Sequence, residues 1–310
     1  MKDTAHELTD ELLEKTEKEM TRLYQDAQKD INKKLLDALG KMEGGATEQI
    51  RFANANKYDR LKKLEEQIAD ILSNSNQNAV KLMQGAWYNT YSINYNFASY
   101  WIESTINELG IFPLLDQSAI VAIVKGELTP FSLMAIDNIE DKAQIVRDLT
   151  TQLVNGITQG ESSQAISRRI RGVVEKNYSQ SMMIARTETN RIESNGRYDS
   201  MKYGQDKYNI KQNKKWTATK DGDTRNTHRR ADGQIVSLEE NFKVGKAKGL
   251  YPGEMDRAEE SIQCRCTHVP IIIGFEDKEP AMNYDEWEKT RDGMTANQIA
   301  EARRKAKRKG

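Results

Sequence analysis

Apolar side chains return at helical intervals through the first 203 residues. After Gly204 that periodicity gives way to short β-prone runs separated by turn residues. Few folds suit such a chain. It predicts the α+β class, with a predominantly α-helical N-terminal region of long amphipathic helices followed by a small β-rich module at about 210–275.

Within the helical part, Leu12, Leu13, Met20, Leu23, Tyr24 and Ile31 recur at spacings of three, four and seven from Thr9 to about Leu39. Gly44 and Gly45 interrupt this pattern, and Ser73–Gln77 reads as a second, polar break. Pro113 and Pro130 bracket a short helix. Another helix is expected from Ser132 to Asn155, ended by Gly156 and Gly160. Ser162 or Ser163 then caps a further helix, and a last one runs from about Ser179 to Tyr203, closed by Gly204. In the β-rich part, "IKQNKKWTAT" and "CRCTHVPIII" read as strands, while "KDGDTR" and "ADGQ" read as turns. The organisation expected from these signals is a helical arm over 1–150 for oligomerisation or docking, a mixed region over 151–275, and a basic tail over 276–310.

The segment "WYNTYSINYNFASYW" holds Trp87, Tyr88, Tyr91, Tyr95, Phe97, Tyr100 and Trp101, although aromatics are only 7% of the chain. Such a stripe either packs the helical region on itself or forms a docking face for a larger assembly.

Charge separates the two halves. Residues 1–150 carry 17 Lys and Arg against 24 Asp and Glu, and residues 151–310 carry 30 against 23. Arg303, Arg304, Lys305, Lys307, Arg308 and Lys309 crowd the end, a composition suited either to a solvated tail or to non-specific contact with DNA phosphates. No run approaches the ~18 apolar residues of a membrane span, and the first twenty residues are too charged for a signal peptide. Two cysteines in 310 residues make no disulfide framework, so a reducing cytoplasm is the expected compartment. There is no P-loop, no G-x-G-x-x-G and no H-E-x-x-H.

Both cysteines and one of three histidines stand in "SIQCRCTHVPIII" at alternate positions. If residues 262–272 form one strand, Cys264, Cys266 and His268 share a face, and His228 in the same module is the natural fourth ligand of a structural zinc. Strand neighbours on one face are ~6.5–7 Å apart at Cα, too far for two sulfurs to meet one ion without a bulge. The other reading is a buried core of small side chains. Asp221, Asp223 and Asp232 with His228 would suit a metal-dependent nuclease, but they are also ordinary turn residues.

Read together, "ARTETNRIESNGR", "WTATKDGDTRNTHRRADGQ", Phe242, "YPGEM" and "IQCRCTHVPI" resemble the phage Mu F-like minor head proteins, the phage head morphogenesis family. The resemblance covers about residues 150–275. It implies a minor structural protein of a tailed phage or prophage, made in the host cytoplasm and lodged inside the head. Its implied partners are the portal protein, capsid or scaffold components, double-stranded DNA bound without sequence preference, and further copies of itself, with no membrane. It also singles out Arg186, Glu188, Trp216, Arg225, His228, Gly233, Cys264 and Cys266, with Glu188 expected to pair with Arg225 or Arg229. The competing expectation is a metal-dependent nuclease or toxin-like enzyme using the His/Cys module.

Overall fold

The structure is a computed structural model that describes residues 3–43, 55–113, 115, 117–128, 130–275, 278 and 280–292. Gly44, Gly45 and the basic cluster from Arg303 to Lys309 lie outside the described residues. The chain divides into two units. One is formed by Met1–Leu13, Gly85–Leu128 and Arg186–Gly310, the other by Glu14–Gln84 and Thr129–Ala185.

The second unit is helical. It takes its share of α1 (Thr4–Glu43), α2 (Ala55–Ile106) and α6 (Ser163–Tyr208), together with α4 (Pro130–Glu140) and α5 (Lys142–Thr158). Met20, Tyr24, Ala27, Ile31 and Leu35 are buried at intervals of four, three, four and four, as one apolar stripe of a helix requires. The expected break at Ser73–Gln77 does not occur, because α2 runs straight through it. Asn76 is fully buried there: its amide donates to Asn177 Oδ1 (2.9 Å), and its Oδ1 accepts from the Tyr24 hydroxyl (2.7 Å), which also meets Ser181 Oγ (2.8 Å). Polar residues that look like a loop in sequence are here the satisfied polar seam of a helix core.

Two other boundaries also move. The single helix expected over Ser132–Asn155 is two, since Asp141 caps α5 by accepting the Ala143 and Gln144 N–H groups (2.9 and 3.1 Å). Gly156 does not end α5 but lies inside it, where a Cβ would fall 2.7 Å from Ile166 Cγ1. No helix among the described residues is long and apolar enough to cross a membrane.

The first unit contains α3 (Gln117–Glu127), the end of α2, the second half of α6, and everything that follows. The aromatic stripe is buried here: Trp87, Tyr91, Tyr95, Phe97 and Tyr100 are at most 4% exposed. Tyr91 donates to Asp199 (2.7 Å), and Tyr100 packs edge-on against Trp287 and Tyr284. Its own chain covers the stripe, which excludes those residues as an open docking face. Gly196 sets the spacing between α6 and α2, since a Cβ there would lie 2.7 Å from the Tyr91 carbonyl oxygen. Gly196→Ala is therefore expected to lower stability by about 1–3 kcal/mol through overpacking. Gly172→Ala, on an exposed part of α6 with nothing within 4 Å, is expected to raise it by up to about 1 kcal/mol. Denaturation midpoints of the two variants should shift in opposite directions.

Deep in this unit lies Arg197, with no exposed surface. Its two terminal nitrogens donate to Asp3 (2.5 and 2.8 Å), its Nε donates to Asn94 Oδ1 (2.8 Å), and Nη1 also reaches the His268 carbonyl (3.2 Å). Glu193 stands 3.2 Å away, and the guanidinium lies 5.1 Å over the Phe97 ring. His6 bonds Glu193 at 2.9 Å, and that carboxylate raises the imidazole pKa to about 9. One cation thus ties the start of the chain to α2, α6 and the sheet.

Rather than stopping at Gly204, α6 continues to Tyr208, and Asn209 ends it in a left-handed conformation (φ 54°). Beyond it, β1 (Gln212–Thr217) is the centre of an antiparallel sheet of order β2-β1-β5, flanked by β2 (Ile235–Ser237) and β5 (Thr267–Ile272). A separate hairpin pairs β3 (Phe242–Val244) with β4 (Ala247–Gly249). The burial of β1 alternates, with Gln212, Lys214 and Trp216 inward. Lys214 is fully buried, its ammonium donating to the Leu238 carbonyl (2.6 Å), and burial lowers its pKa to about 8.

Candidate functional site

The site is assembled from three short pieces around Trp216. The first is α7 (Asn226–Ala231), which begins just after a turn organised by Asp221. Asp221 Oδ1 accepts from the Asp223 N–H (3.0 Å) and the Thr224 hydroxyl (2.9 Å), and the Arg265 guanidinium grips the same carboxylate through two nitrogens (2.5 and 2.8 Å). Arg265 is the main cause of the depression of the Asp221 pKa to about 2. The second piece is the four-residue α8 (Ala258–Ser261), which carries Glu260. The third is the Cys264–Arg265–Cys266 loop. Arg265, pointing outward between the cysteines, thereby ties this loop to the turn before α7.

The expected strand over 262–272 starts only at Thr267, so the two cysteines precede it in a loop. Gln263 takes a left-handed conformation (φ 53°), and the Cys264 N–H donates to the Ser261 carbonyl (3.1 Å). The Cys266 N–H then donates to Cys264 Sγ (3.4 Å). This folded path removes the strand-spacing objection, because the sulfurs turn toward one point instead of standing in line. His228 Nδ1 lies 3.2 Å from Cys266 Sγ and 3.7 Å from Cys264 Sγ. All three ligand atoms lie within 4.8 Å of one another, and all three residues are buried. On its far side, His228 Nε2 meets Glu260 Oε2 at 2.9 Å, and the Thr227 hydroxyl donates to the same oxygen (2.8 Å). Trp216 packs edge-on to His228 (5.7 Å between centroids) and to Phe242 (5.3 Å).

The pKa values of the two thiols are pushed in opposite directions. Cys264 is pushed well up by its hydrogen bond to Cys266 and by burial. Cys266 is pulled down to about 5 by that same hydrogen bond, helped by His228 and by a backbone N–H from Thr219.

His268 stays outside this group. It pairs with Trp216 across β1 and β5, stacks on Tyr251 at 6.2 Å, and is held neutral mainly by burial. A period-two strand face would have grouped it with the cysteines, but the loop turns the sulfurs away from that face. Nor do the acidic turn residues converge on His228. Asp221 is held by Arg265, and Asp232 accepts the Ala218 N–H (3.0 Å) with Lys220 at 3.4 Å. The only His, Cys, Asp or Glu cluster of metal-ligating geometry among the described residues is His228, Cys264 and Cys266.

The helical motif supports this loop in a way its charges do not announce. Glu188 pairs with Arg191 on its own helix (2.9 Å), not with Arg225 or Arg229, because residues three apart on a helix are adjacent. Arg225 donates to the Ile262 carbonyl (2.5 Å), and Arg229 to the Asp221 carbonyl (2.7 Å). Arg186 is exposed on α6. The residues that grip the loop are Thr187, whose hydroxyl accepts the Gln263 N–H (3.1 Å), and Asn190, whose amide donates to the Cys266 carbonyl (2.8 Å). Gly253 is needed beside them, since a Cβ there would lie 2.9 Å from Arg191 Cα. Gly233, at φ 79°, turns the chain from α7 into β2, and its N–H donates to the Trp216 carbonyl (3.0 Å). Sequence reasoning does not single out Glu260, Thr187 or Asn190, although Thr187 and Asn190 stand inside the A-R-T-E-T-N stretch.

Comparison with known proteins places this arrangement. Residues 147–269 match the family described as Phage Mu protein F like protein. Minor head protein GP7 of Bacillus phage SPP1 is 25% identical over 273 residues, which cover 86% of this chain and 85% of that protein. NAD(+)--arginine ADP-ribosyltransferase EFV of Enterococcus faecalis (strain ATCC 700802 / V583) is 27% identical over 288 residues, which cover 88% of this chain but 57% of that protein. No solved structure gives a significant match. The stretch matched by the family spans most of α5, all of α6 and the site itself, so this part of the chain is similar to the phage Mu F-like minor head proteins.

Proposed function

We propose that this chain is a minor head protein of a tailed phage or prophage that acts by binding. In this reading it associates with the portal vertex and the procapsid interior, contacts double-stranded DNA without sequence preference, and leaves the head with the genome. The observation that carries the reading is the alignment with minor head protein GP7, which extends over 86% of this chain, far beyond the motif region. The charge split supports the DNA contact. So does the β3–β4 hairpin, where Lys243 sits directly opposite Lys248 and both are exposed with Lys246 at the turn. Like charges facing across a strand pair are unfavourable unless an anion lies over them.

The test is quantitative mass spectrometry of purified particles of the encoding phage, comparing DNA-filled heads with heads that have ejected. A few copies in full heads, depleted after ejection, is the expected result; absence from both overturns a virion role. Deleting residues 301–310 should flatten the salt dependence of DNA binding by about 0.9 in log–log slope for each phosphate that the tail neutralises. An unchanged slope would assign the DNA contact to the hairpin.

A toxin-like or nuclease enzyme is the second reading, drawn from the relative named as an ADP-ribosyltransferase, of which this chain spans 57%. Turnover that His228→Ala abolishes in a still-folded protein would favour it. Burial of both thiols and of the imidazole weighs against it, because a nucleophile must reach its substrate.

A further inference from the structure

The buried trio is built like a metal site. A tetrahedral zinc ion with sulfur at ~2.3 Å and nitrogen at ~2.0–2.1 Å has nitrogen–sulfur edges of about 3.5 Å. The observed separations from His228 Nδ1, 3.2 Å to Cys266 and 3.7 Å to Cys264, straddle that edge. One centre can therefore approach all three atoms, which lie within 4.8 Å of one another, after a modest shift of the sulfurs.

The surroundings favour the same conclusion. Glu260 accepts from His228 Nε2, which leaves the Nδ1 lone pair directed between the two sulfurs. Metal-bound imidazoles are held from behind by a carboxylate in this way. Glu260 is fixed in turn by Thr227, and it is itself buried at 7% exposure. A dication on the opposite nitrogen would polarise the ring toward this buried side chain. Backbone N–H groups also point at the sulfurs, from Cys266 to Cys264 and from Thr219 to Cys266, as suits thiolates.

The module also needs a staple. Its strands are three to six residues long, and the two helices that carry His228 and Glu260 have six and four residues. Elements this short bury little apolar area, and small modules commonly add a metal. An ion here would join α7 to the loop before β5, two segments with no strand pairing between them.

We propose that His228 Nδ1, Cys264 Sγ and Cys266 Sγ bind one zinc ion, with Glu260 as the positioning residue behind the imidazole. No fourth His, Cys, Asp or Glu joins the group among the described residues, so a water or another external ligand completes the tetrahedron. The ion's role is structural: it closes the module around Trp216.

The test uses the full chain, purified with its thiols reduced and without chelator. Elemental analysis should find about one zinc per chain. Replacing zinc with cobalt(II) should give a thiolate-to-cobalt charge-transfer band together with the strong visible absorption of a tetrahedral site. Cys266→Ser should remove the charge transfer from one thiolate, and Glu260→Gln should weaken metal affinity about 10–100-fold while the band persists. If Cys266→Ser fails to fold, the cobalt titration of the unaltered chain decides alone. Two freely thiol-reactive cysteines with no cobalt band overturn the proposal. So does bound zinc whose cobalt form lacks thiolate charge transfer, because that ion sits elsewhere. None of these readouts depends on a role in the head.

Discussion

Arg197→Met is expected to destabilise the protein by about 3–5 kcal/mol, the range for removing one partner of a buried, hydrogen-bonded ion pair. Methionine fills much of the volume and keeps the packing against Phe97, so the change isolates the charge. Burial alone would raise the Asp3 pKa, yet Arg197 holds that carboxyl below its ordinary range. Without the guanidinium, Asp3 and Glu193 lose the cation they share, and Asn94 Oδ1 and the His268 carbonyl are deprived of their donor. Denaturant unfolding followed by hydrogen exchange would show the effect, with weaker protection at the start of α1 and along β5. A change below about 1 kcal/mol would mean that water enters and replaces the cation. Asp3→Asn should cost less, because the amide can still accept from Arg197, and the double variant should fall short of the sum of the singles.

Trp216→Ala is expected to cost about 3–5 kcal/mol, from the apolar surface no longer buried and the cavity left behind. The ring is fully buried and holds both His228 and Phe242 in place. Its own backbone bonds the Gln234 carbonyl and the Gly233 N–H. Weaker exchange protection across β1 and β5 should accompany the change. Trp216→Phe keeps the edge-on packing and should cost roughly half as much. If Trp216→Ala left the strands protected, the core would have to be organised by something other than this ring.

Much of this arrangement can be read from the sequence, and the misreadings share physical causes. Helical periodicity and the change of texture after Gly204 identify the α+β class because burial imposes them residue by residue. Helix continuity is harder to see. Ser73, Ser75 and Asn76 look like a loop because the hydrogen-bond partners of Asn76, Tyr24 and Asn177, are about 50 and 100 residues away. Gly156 and Gly204 look like terminators but mark close packing, against Ile166 and Phe112. The His228, Cys264 and Cys266 trio is visible from scarcity alone. Its geometry is not, because one left-handed residue, Gln263, decides whether the cysteines lie along a strand or curl around a point. Glu260 and Arg197 escape a sequence reading because charged residues are normally solvated, and nothing local marks the few that are not.

The junction between Asp3 and Arg197 spans 194 residues of chain. A ribosome adding about 5–20 residues per second needs roughly 10–40 s to cover that distance. For that interval Asp3 and His6 wait for their partners in the second half of α6. An affinity tag or fusion joined directly ahead of Asp3 would thus burden a contact that cannot close until Arg197 has been made.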